Sequence, residues 1–180
     1  MIQGRHIRLR TVRQADLDSL YELSSDQSDP GEFMPVGLQS EVAFKQAFND
    51  TGFWQDHCGK LIIEDLQGNI VGEAGLFRST HYLDGREIYY RIFSGYRGNG
   101  YAREALALLT EHFFQSTSFN RLQAVTIEGN SVSEHMLKKW LSVRRHPASG
   151  SIFQRPVGEP EFVFKTAHRT LLAKICVQQA

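Results

Sequence analysis

A glycine-rich segment in the middle of the chain constrains the fold more than any other feature. Residues 87–93 are typical of a strand, and a helix is predicted to begin near Tyr101. The turn between them contains three glycines: Gly95, Gly98 and Gly100. The first backbone N–H groups of a helix have no partner within it and carry a partial positive charge. Glycine lets that backbone approach a ligand closely, so the segment predicts an anion site, most often one for phosphate.

The spacing of the glycines excludes two common phosphate motifs. A Walker loop ends in Gly-Lys-Ser/Thr, whereas Tyr101 and Ala102 follow Gly100 here. A dinucleotide fingerprint requires a third glycine, and none follows Gly100 at the required spacing. The pattern that fits is Arg/Gln-x-x-Gly-x-Gly/Ala, with Arg97, Gly100 and Ala102 at its defined positions. A glycine turn without a ligand remains the alternative for this motif on its own.

A second segment adds specificity to this interpretation. Residues 120–127 alternate as a half-buried strand does, and a helix is predicted to follow with Asn130 or Ser131 as its N-cap. The glycine turn together with Asn130-x-x-Ser133 resembles the two signatures of the GNAT superfamily of acyl-CoA-dependent N-acyltransferases. The order of the pieces resembles the RimJ/RimL-like branch most closely, and the resemblance spans roughly residues 5–170.

Two positions depart from the family pattern. Residues 138–142 are Lys-Lys-Trp-Leu-Ser where the family usually has Glu-Lys-x-Gly-Phe, which leaves the course of the chain beyond this helix open. Many relatives place a tyrosine seven residues after the asparagine, and this chain has Leu137 there. A tyrosine acid is therefore not carried over.

The resemblance and the order of elements predict one α+β domain over residues 1–180. We expect a GNAT-like fold with a mixed, mostly antiparallel sheet, flanking helices and a splayed central strand pair. Residues 5–12 are typical of an edge strand, and Gly68-Asn69 predicts a tight hairpin. The other predicted elements are helices over 14–23 and after Ser40, a loop over 26–37, and strands over 61–66, 70–77, 151–154 and 161–164.

The composition limits the class of protein. A chain of 180 residues with 41% apolar residues can bury one substantial core, and no repeat or linker indicates a second domain. The 20 Lys and Arg residues balance the 20 Asp and Glu residues, so no basic excess indicates a nucleic-acid partner.

Cysteine and histidine usage indicates neither a metal nor an oxidising compartment. Cys58 and Cys176 are far apart, and the seven histidines are scattered without metal-ligand spacing. The first residues lack the apolar core of a signal peptide, and no run reaches the length needed to cross a bilayer. We therefore expect a cytoplasmic protein, monomeric or homodimeric, with no metal and no membrane partner.

The resemblance implies that acetyl-CoA is the co-substrate and an amine the acceptor. The CoA pyrophosphate would lie on the amides around residues 97–102, and the pantetheine arm would run beside the end of the preceding strand. The implied cofactor-binding residues are Ile92, Phe93, Ser94, Arg97, Gly98, Asn99, Gly100, Tyr101, Ala102, Asn130 and Ser133.

Three residues are candidates for the chemistry, which by the resemblance is direct attack of the amine on the thioester. Glu87 is the first candidate for the base and Glu73 the second, and the alternative for each is an ion-pair partner or a surface carboxylate. Ser133 matches the position that donates to the CoA sulfur in the RimJ/RimL-like branch, and its alternative is a helix hydroxyl that satisfies a local amide.

The acceptor is not determined by these motifs. A protein N-terminus and a small-molecule amine both remain open, and the aromatic wall of the entrance would consist of Phe33, Phe53, Trp54 and Tyr82. Two other functions remain open as well. One is a non-catalytic acyl-CoA-binding module, and the other is a nucleotide-binding domain of Rossmann type, which requires a parallel sheet.

Overall fold

A computed structural model of the chain describes residues 1–29, 33, 37–78, 86–119, 121–143 and 161–167, with the backbone alone for 139–143 and 161–167. The strands among these residues are β1 (Ile2–Gln3), β2 (Ile7–Thr11), β3 (Trp54–Gln55), β4 (Cys58–Asp65), β5 (Ile70–Arg78), β6 (Arg86–Ile92), β7 (Arg121–Ile127) and β8 (Glu161–Ala167). The helices are α1 (Leu17–Ser25), α2 (Glu41–Thr51), α3 (Tyr101–Ser116) and α4 (Ser131–Val143). Short 3₁₀ turns over Gln14–Asp16 and Ser94–Tyr96 precede α1 and follow β6.

All the strands belong to one mixed sheet in the order β1-β2-β4-β5-β6-β7-β8, with β3 paired to β4. Neighbours from β1 to β6 are antiparallel, whereas β6 with β7 and β7 with β8 are parallel. The predicted fold class, a mixed and mostly antiparallel sheet flanked by helices, is confirmed. The antiparallel half of the sheet excludes the Rossmann-type alternative.

The central strand pair is splayed, as the sequence predicted. Strands β6 and β7 pair only at Arg86 with Leu122 and at Glu87 with Gln123. Beyond these two pairs the strands diverge, although each remains paired with its other neighbour, β5 or β8. Backbone groups on the diverging parts of β6 and β7 therefore face a gap rather than each other.

Local sequence signals explain most of the element boundaries. Ser40 caps α2, because its hydroxyl accepts the amide of Ala43 at 3.2 Å. Asn130 caps α4, because its Oδ1 accepts the amide of Ser133 at 3.1 Å. The β4–β5 hairpin turns through Gly68 at a φ of 91°, a left-handed conformation that favours glycine. These predictions of caps and hairpin are confirmed.

The prediction of an edge strand over residues 5–12 is wrong. Strand β2 lies inside the sheet, because residues 2 and 3 fold back to pair with Leu9 and Arg8. This return favours Gly4, since a Cβ there would lie 2.8 Å from the backbone carbonyl oxygen of Ile7, which cannot move without breaking the turn. Charged residues in β2 suggested an edge, but Arg8 and Arg10 are paired with the buried Glu64 of β4.

Two apolar clusters cover the two faces of the sheet. The larger one packs α3 and α4 on the sheet through Leu106, Leu109, Phe113 and Leu137. The smaller one packs α1 and α2 on the opposite face, with Leu20 and Phe44 at its centre. Alternation along β4 supplies both, because Leu61 and Ile63 point to the larger cluster and Ile62 to the smaller one.

Of the remaining predictions, the strand over 161–164 is confirmed as part of β8, and the helix over 14–23 as the 3₁₀ turn and α1. The predicted strand over 151–154 lies outside the described residues, as does Tyr82. Of the loop over 26–37, the structure describes residues 26–29, 33 and 37.

A buried charge network joins β2, β4 and the turn before α1. Glu64 is 4% exposed and accepts hydrogen bonds from Arg8 and Arg10. Arg10 also donates to both carboxylate oxygens of Asp16, at 2.7 and 2.9 Å. Burial alone would raise the pKa of Glu64 and of Asp16, but the hydrogen bonds from Arg10 and its neighbours hold both pKa values below their usual range.

We expect the free energy of unfolding to fall as the pH is lowered below about 4. A carboxyl with a depressed pKa in the folded state stabilises the fold above its unfolded pKa, and this stabilisation is lost as the pH falls through the folded value. Urea denaturation between pH 7 and pH 3 measures the effect. The variant Glu64→Gln should lose about 3 kcal/mol at pH 7 and show a weaker pH dependence. An unchanged pH dependence in this variant would contradict the assignment.

Candidate active site

The splay of β6 and β7 opens into a cavity of ≈ 1150 Å³. Its walls come from β4, β5 and β6 on one side, from β7 and the start of α4 on the other, and from the glycine turn with the start of α3. Of the sequence-predicted residues, Phe93 and Ser94 do not line this cavity, and Glu73, Glu87, Ile92, Arg97, Gly98, Asn99, Gly100, Tyr101, Ala102, Asn130 and Ser133 do. The structure thus brings together the predicted anion site and the predicted chemistry.

The glycine turn has the conformation expected of an anion site. Gly98 and Gly100 have φ values of 83° and 78°, in the left-handed region, and Gly100 is the N-cap of α3. A Cβ built at either position would meet nothing within 4 Å, so the space above the turn is open. Within the part of the chain that the structure describes, no group accepts a hydrogen bond from the amides of residues 98–102. These N–H donors indicate a binding site for an anionic ligand.

Side chains of the turn stiffen it rather than cover it. Asn99 Nδ2 donates to the carbonyl of Tyr96 at 3.0 Å. Arg97 is directed back toward the strand end, where its Nε donates to the carbonyl of Ile92 at 3.0 Å. Its side chain is half exposed. The positive character of the turn therefore comes from its amides and the helix terminus, with Arg97 adding charge at one side.

A carboxylate that the sequence did not identify, Asp29, holds the strand end that precedes this turn. Its Oδ1 accepts the amide of Ser94, and its Oδ2 accepts Arg91 Nε at 3.0 Å. Phe93, the residue before Ser94, is buried in the smaller cluster, and its amide donates to the carbonyl of Val71. Among the predicted cofactor residues at the strand end, Ile92 is therefore the one that faces the cavity.

The first turn of α4 forms the opposite wall. Asn130 and Ser133 line the cavity, and Ser133 is half-buried beside Tyr90 of β6. Burial raises the pKa of Tyr90, and a hydrogen bond with Ser133 opposes that rise. Leu137 occupies the position where many relatives have a tyrosine, and it is 1% exposed within the larger apolar cluster.

Glu87 lies at the point where the two central strands separate. It is 3% exposed and lines the cavity, and Gln123 Nε2 donates to its Oε2 at 2.6 Å. The parallel register places these two residues side by side. A buried carboxylate with one oxygen held by a neutral donor, at the floor of a cleft, is a suitable group to accept a proton.

Glu73 has a different environment, although it lines the same cavity. Its Oε2 lies 2.8 Å from Lys60 Nζ. The ammonium group of Lys60 also lies 5.7 and 5.8 Å from the ring centroids of Phe44 and Phe53. Burial, and secondarily the charge of Glu73, raises the pKa of Tyr89 well above its usual value. These contacts favour the ion-pair alternative for Glu73.

Aromatic residues line the outer part of the cavity. Phe33, Phe53 and Trp54 are half-buried there. Phe53 also packs against Phe44 and Phe48, with ring centroids 4.9 and 5.7 Å apart, so part of this wall is core packing.

A sheet that splays at its centre, with an open glycine turn and a helix start beside the gap, defines an acyltransferase of the GNAT type. Residues 6–140, most of the chain, match the family described as the acetyltransferase (GNAT) domain. The chain belongs to this family, and it is an acetyl-CoA-dependent N-acetyltransferase. A comparison of the sequence with curated proteins found no significant match.

Solved structures share the fold. A GNAT-family acetyltransferase from Bacillus anthracis superposes with a TM-score of 0.64 at 19% identity, over 77% of this chain and 81% of that chain. Spermidine N-acetyltransferase from Vibrio cholerae, solved in complex with CoA and spermine, gives a TM-score of 0.63 at 18% identity, over 75% and 79%. An acetyltransferase of the GNAT family from Streptococcus pneumoniae gives 0.61 at 19% identity, over 74% and 82%. Among the described residues, no helix has the length and apolar character needed to cross a membrane.

Proposed function

We propose that this enzyme moves the acetyl group of acetyl-CoA to the primary amine of a protein N-terminus or of a small molecule, as a member of the RimJ/RimL-like branch. The observation that carries the proposal is the row of amides at residues 98–102, which have no acceptor among the residues that the structure describes and which line the same cavity as Glu87 and Ser133. In this proposal the enzyme acts as a monomer or a homodimer, without a metal.

The pyrophosphate of acetyl-CoA would be held by the amides of residues 98–102. The open space above Gly98 and Gly100 supports this role, since a side chain at either position would stand where the ligand must approach. Bound acetyl-CoA supplies an activated acyl group whose thiolate leaves readily. Ile92 of β6 and Asn130 of α4, on opposite walls of the cavity, would contact the arm between pyrophosphate and thioester.

The acceptor amine would attack the thioester carbon directly. A C–N bond forms, the C–S bond breaks, and the amine must lose protons while the thiolate gains one. Glu87 would take the proton of the amine, directly or through water, since it is buried at the floor of the cleft and its registered partner is a neutral amide. Glu73 is the second candidate, and its ion pair with Lys60 makes it the weaker one.

Ser133 would donate a hydrogen bond to the departing sulfur. Its hydroxyl lies on the first turn of α4, on the wall opposite β6. Its amide is already satisfied by Asn130, so the hydroxyl need not serve the helix start. Tyr90 beside it keeps its proton at neutral pH, because burial raises the pKa of the phenol.

The acceptor class rests on two observations. The outer cavity carries half-buried aromatic residues, Phe53 and Trp54 among them, which suit the apolar stem of an amine. A structural neighbour, spermidine N-acetyltransferase from Vibrio cholerae, acts on a small amine. Both observations are compatible with a small-molecule amine or with the first residues of a peptide.

We expect acetyl-CoA to raise the melting temperature of the purified protein by about 5–10 °C at 100 times its Kd, because it binds the folded state alone. NAD and ATP at the same concentrations are the comparison ligands, and they should shift it less. Release of free thiol from acetyl-CoA, measured across a panel of peptides and small amines, then identifies the acceptor.

Two outcomes would redirect the proposal. An equal shift with NAD or ATP would mean that the turn recognises phosphate without CoA specificity. A clear shift with acetyl-CoA but no thiol release with any amine would favour a non-catalytic acyl-CoA-binding module.

A further inference from the structure

We infer that Asp29 is a positioning residue for the acetyl-CoA site: it holds the end of β6 and the glycine turn in the shape that presents the amides of residues 98–102. We call Asp29, Arg91, Ser94 and Arg97 the Asp29 clamp. The inference rests on the proposed function of the turn, and it adds a residue from a distant loop to that site.

The first part of the clamp is a buried ion pair. Arg91 Nη2 lies 2.9 Å from Asp29 Oδ2, and Arg91 Nε donates to the same oxygen at 3.0 Å. The two side chains are only 6% and 3% exposed. Arg91 also donates to the carbonyls of Leu23 and Ser24 at the end of α1, at 3.2 and 3.4 Å. The strand that carries the site is thus tied to α1.

The second part connects Asp29 to the turn itself. The amide of Ser94 donates to Asp29 Oδ1, directly where β6 ends and the 3₁₀ turn begins. Arg97 Nη2 donates to the backbone carbonyl of Asp29 and lies 3.3 Å from its Oδ2. Arg97 Nε donates to the carbonyl of Ile92. One loop residue therefore fixes both ends of the segment from 94 to 97.

Charge and burial show why this residue must be a carboxylate. Burial alone would raise the pKa of Asp29, but the amide of Ser94 and the guanidinium of Arg91 hold the pKa below its usual range. The ionised form accepts three donors and neutralises a buried cation, which a neutral side chain cannot do.

The geometry also explains what Arg97 does in this chain. Its Nε and Nη2 are both used within the clamp, so the guanidinium is oriented toward the strand end and Asp29. Directly after it the chain enters the left-handed conformation of Gly98. The orientation of the next amides depends on where residue 97 is held, because residues 98–100 lie between Arg97 and Tyr101, the next side chain that packs against the core.

The experiment compares Asp29→Asn with Asp16→Asn. Asp16 is likewise a carboxylate with a largely buried side chain paired with an arginine, Arg10, but its hydrogen bonds go to Arg10 and to the amide of Arg13 and not to the glycine turn. We expect Asp29→Asn to raise both the Kd of acetyl-CoA, measured by calorimetry, and the KM for acetyl-CoA by about 10-fold. The kcat should change less than about threefold. Asp16→Asn should leave the Kd, the KM and kcat unchanged. In the protein without ligand, the amides of residues 94–102 should exchange with deuterium faster in Asp29→Asn alone.

Arg97 supplies a second test that leaves both members of the buried pair in place, and its side chain is half exposed. Arg97→Gln should raise the Kd for acetyl-CoA, and Arg97→Lys should not restore it, because lysine cannot replace two donors held in fixed directions. Full recovery by Arg97→Lys would mean that its charge acts on the phosphates directly, and it would overturn the clamp.

The outcomes separate this inference from the proposed function. If the unaltered protein does not bind acetyl-CoA, the proposed function fails and the inference fails with it. If it binds, and Asp29→Asn matches Asp16→Asn in Kd and in amide exchange, only the positioning role is overturned. If Asp29→Asn does not fold, Arg97→Gln decides by the same two measurements.

Discussion

Gly100→Glu is expected to weaken acetyl-CoA binding at least about 100-fold. Gly100 has a φ of 78°, and an L residue in that left-handed region costs roughly 1–2 kcal/mol. A carboxylate about 5 Å from a phosphate charge adds about 3 kcal/mol of repulsion at an effective dielectric constant of about 20. Both effects act at the amides of residues 98–102. An L residue at position 100 relaxes from the strained conformation in the free protein, so binding must restore it, and calorimetric titration with acetyl-CoA measures the sum of this cost and the repulsion.

A matched variant separates the two contributions. Gly100→Ala imposes the same backbone conformation without a charge, and its Cβ meets nothing within 4 Å, so it should weaken binding by about 10-fold. The melting temperatures of the two variants without ligand should be similar, since the position is exposed. A Kd for Gly100→Glu equal to that of Gly100→Ala would show that no anion lies near residue 100, and the pyrophosphate assignment would fail.

The parts of the fold that the sequence predicted are those controlled by near neighbours. Ser40 and Asn130 cap helices through amides three residues away, and Gly68 turns a hairpin through its own φ. The place of β2 in the sheet was missed because it depends on distant residues. A Cβ at Gly4 would meet both the carbonyl of Ile7 and the distant Glu104, and the charges of β2 are neutralised by Glu64.

The distinction between near and distant neighbours also explains which parts of the candidate site could be predicted from the sequence. The open amides of residues 98–102 follow from a continuous segment, so the glycine spacing predicted them. Asp29 was missed because its partners lie more than 60 positions away, and an aspartate among Ser and Pro residues is typical of any turn. The sequence ranked Glu87 ahead of Glu73 as the base, but it could not show their partners, since only the register of the strands pairs Glu73 with Lys60 and Glu87 with Gln123.

Glu87→Gln is expected to lower kcat about 100-fold at pH 7 and to leave the Kd of acetyl-CoA nearly unchanged. The amide removes the base, while its oxygen can still accept the hydrogen bond from Gln123, so the local packing is kept. The loss should shrink as the pH rises toward the pKa of the acceptor amine, near 8 for an α-amino group and about 10.4 for a lysine. An amine that is already neutral needs no base to remove its first proton. The pH profile of kcat for the variant and the unaltered enzyme measures this.

Glu73→Gln is the matched control, because both carboxylates line the cavity and are buried, 5% and 3% exposed. The main contact of Glu73 is the ion pair with Lys60, so we expect Glu73→Gln to lower the stability of the protein and to change kcat less than Glu87→Gln does. The difference in kcat between Glu73→Gln and the unaltered enzyme should be the same at neutral and at high pH. If it is Glu73→Gln that shows the pH-dependent loss of kcat, then Glu73 is the base and Glu87 is not. If neither variant shows it, the amine enters the site already neutral, and the splay of β6 and β7 serves to position the reactants rather than to move a proton.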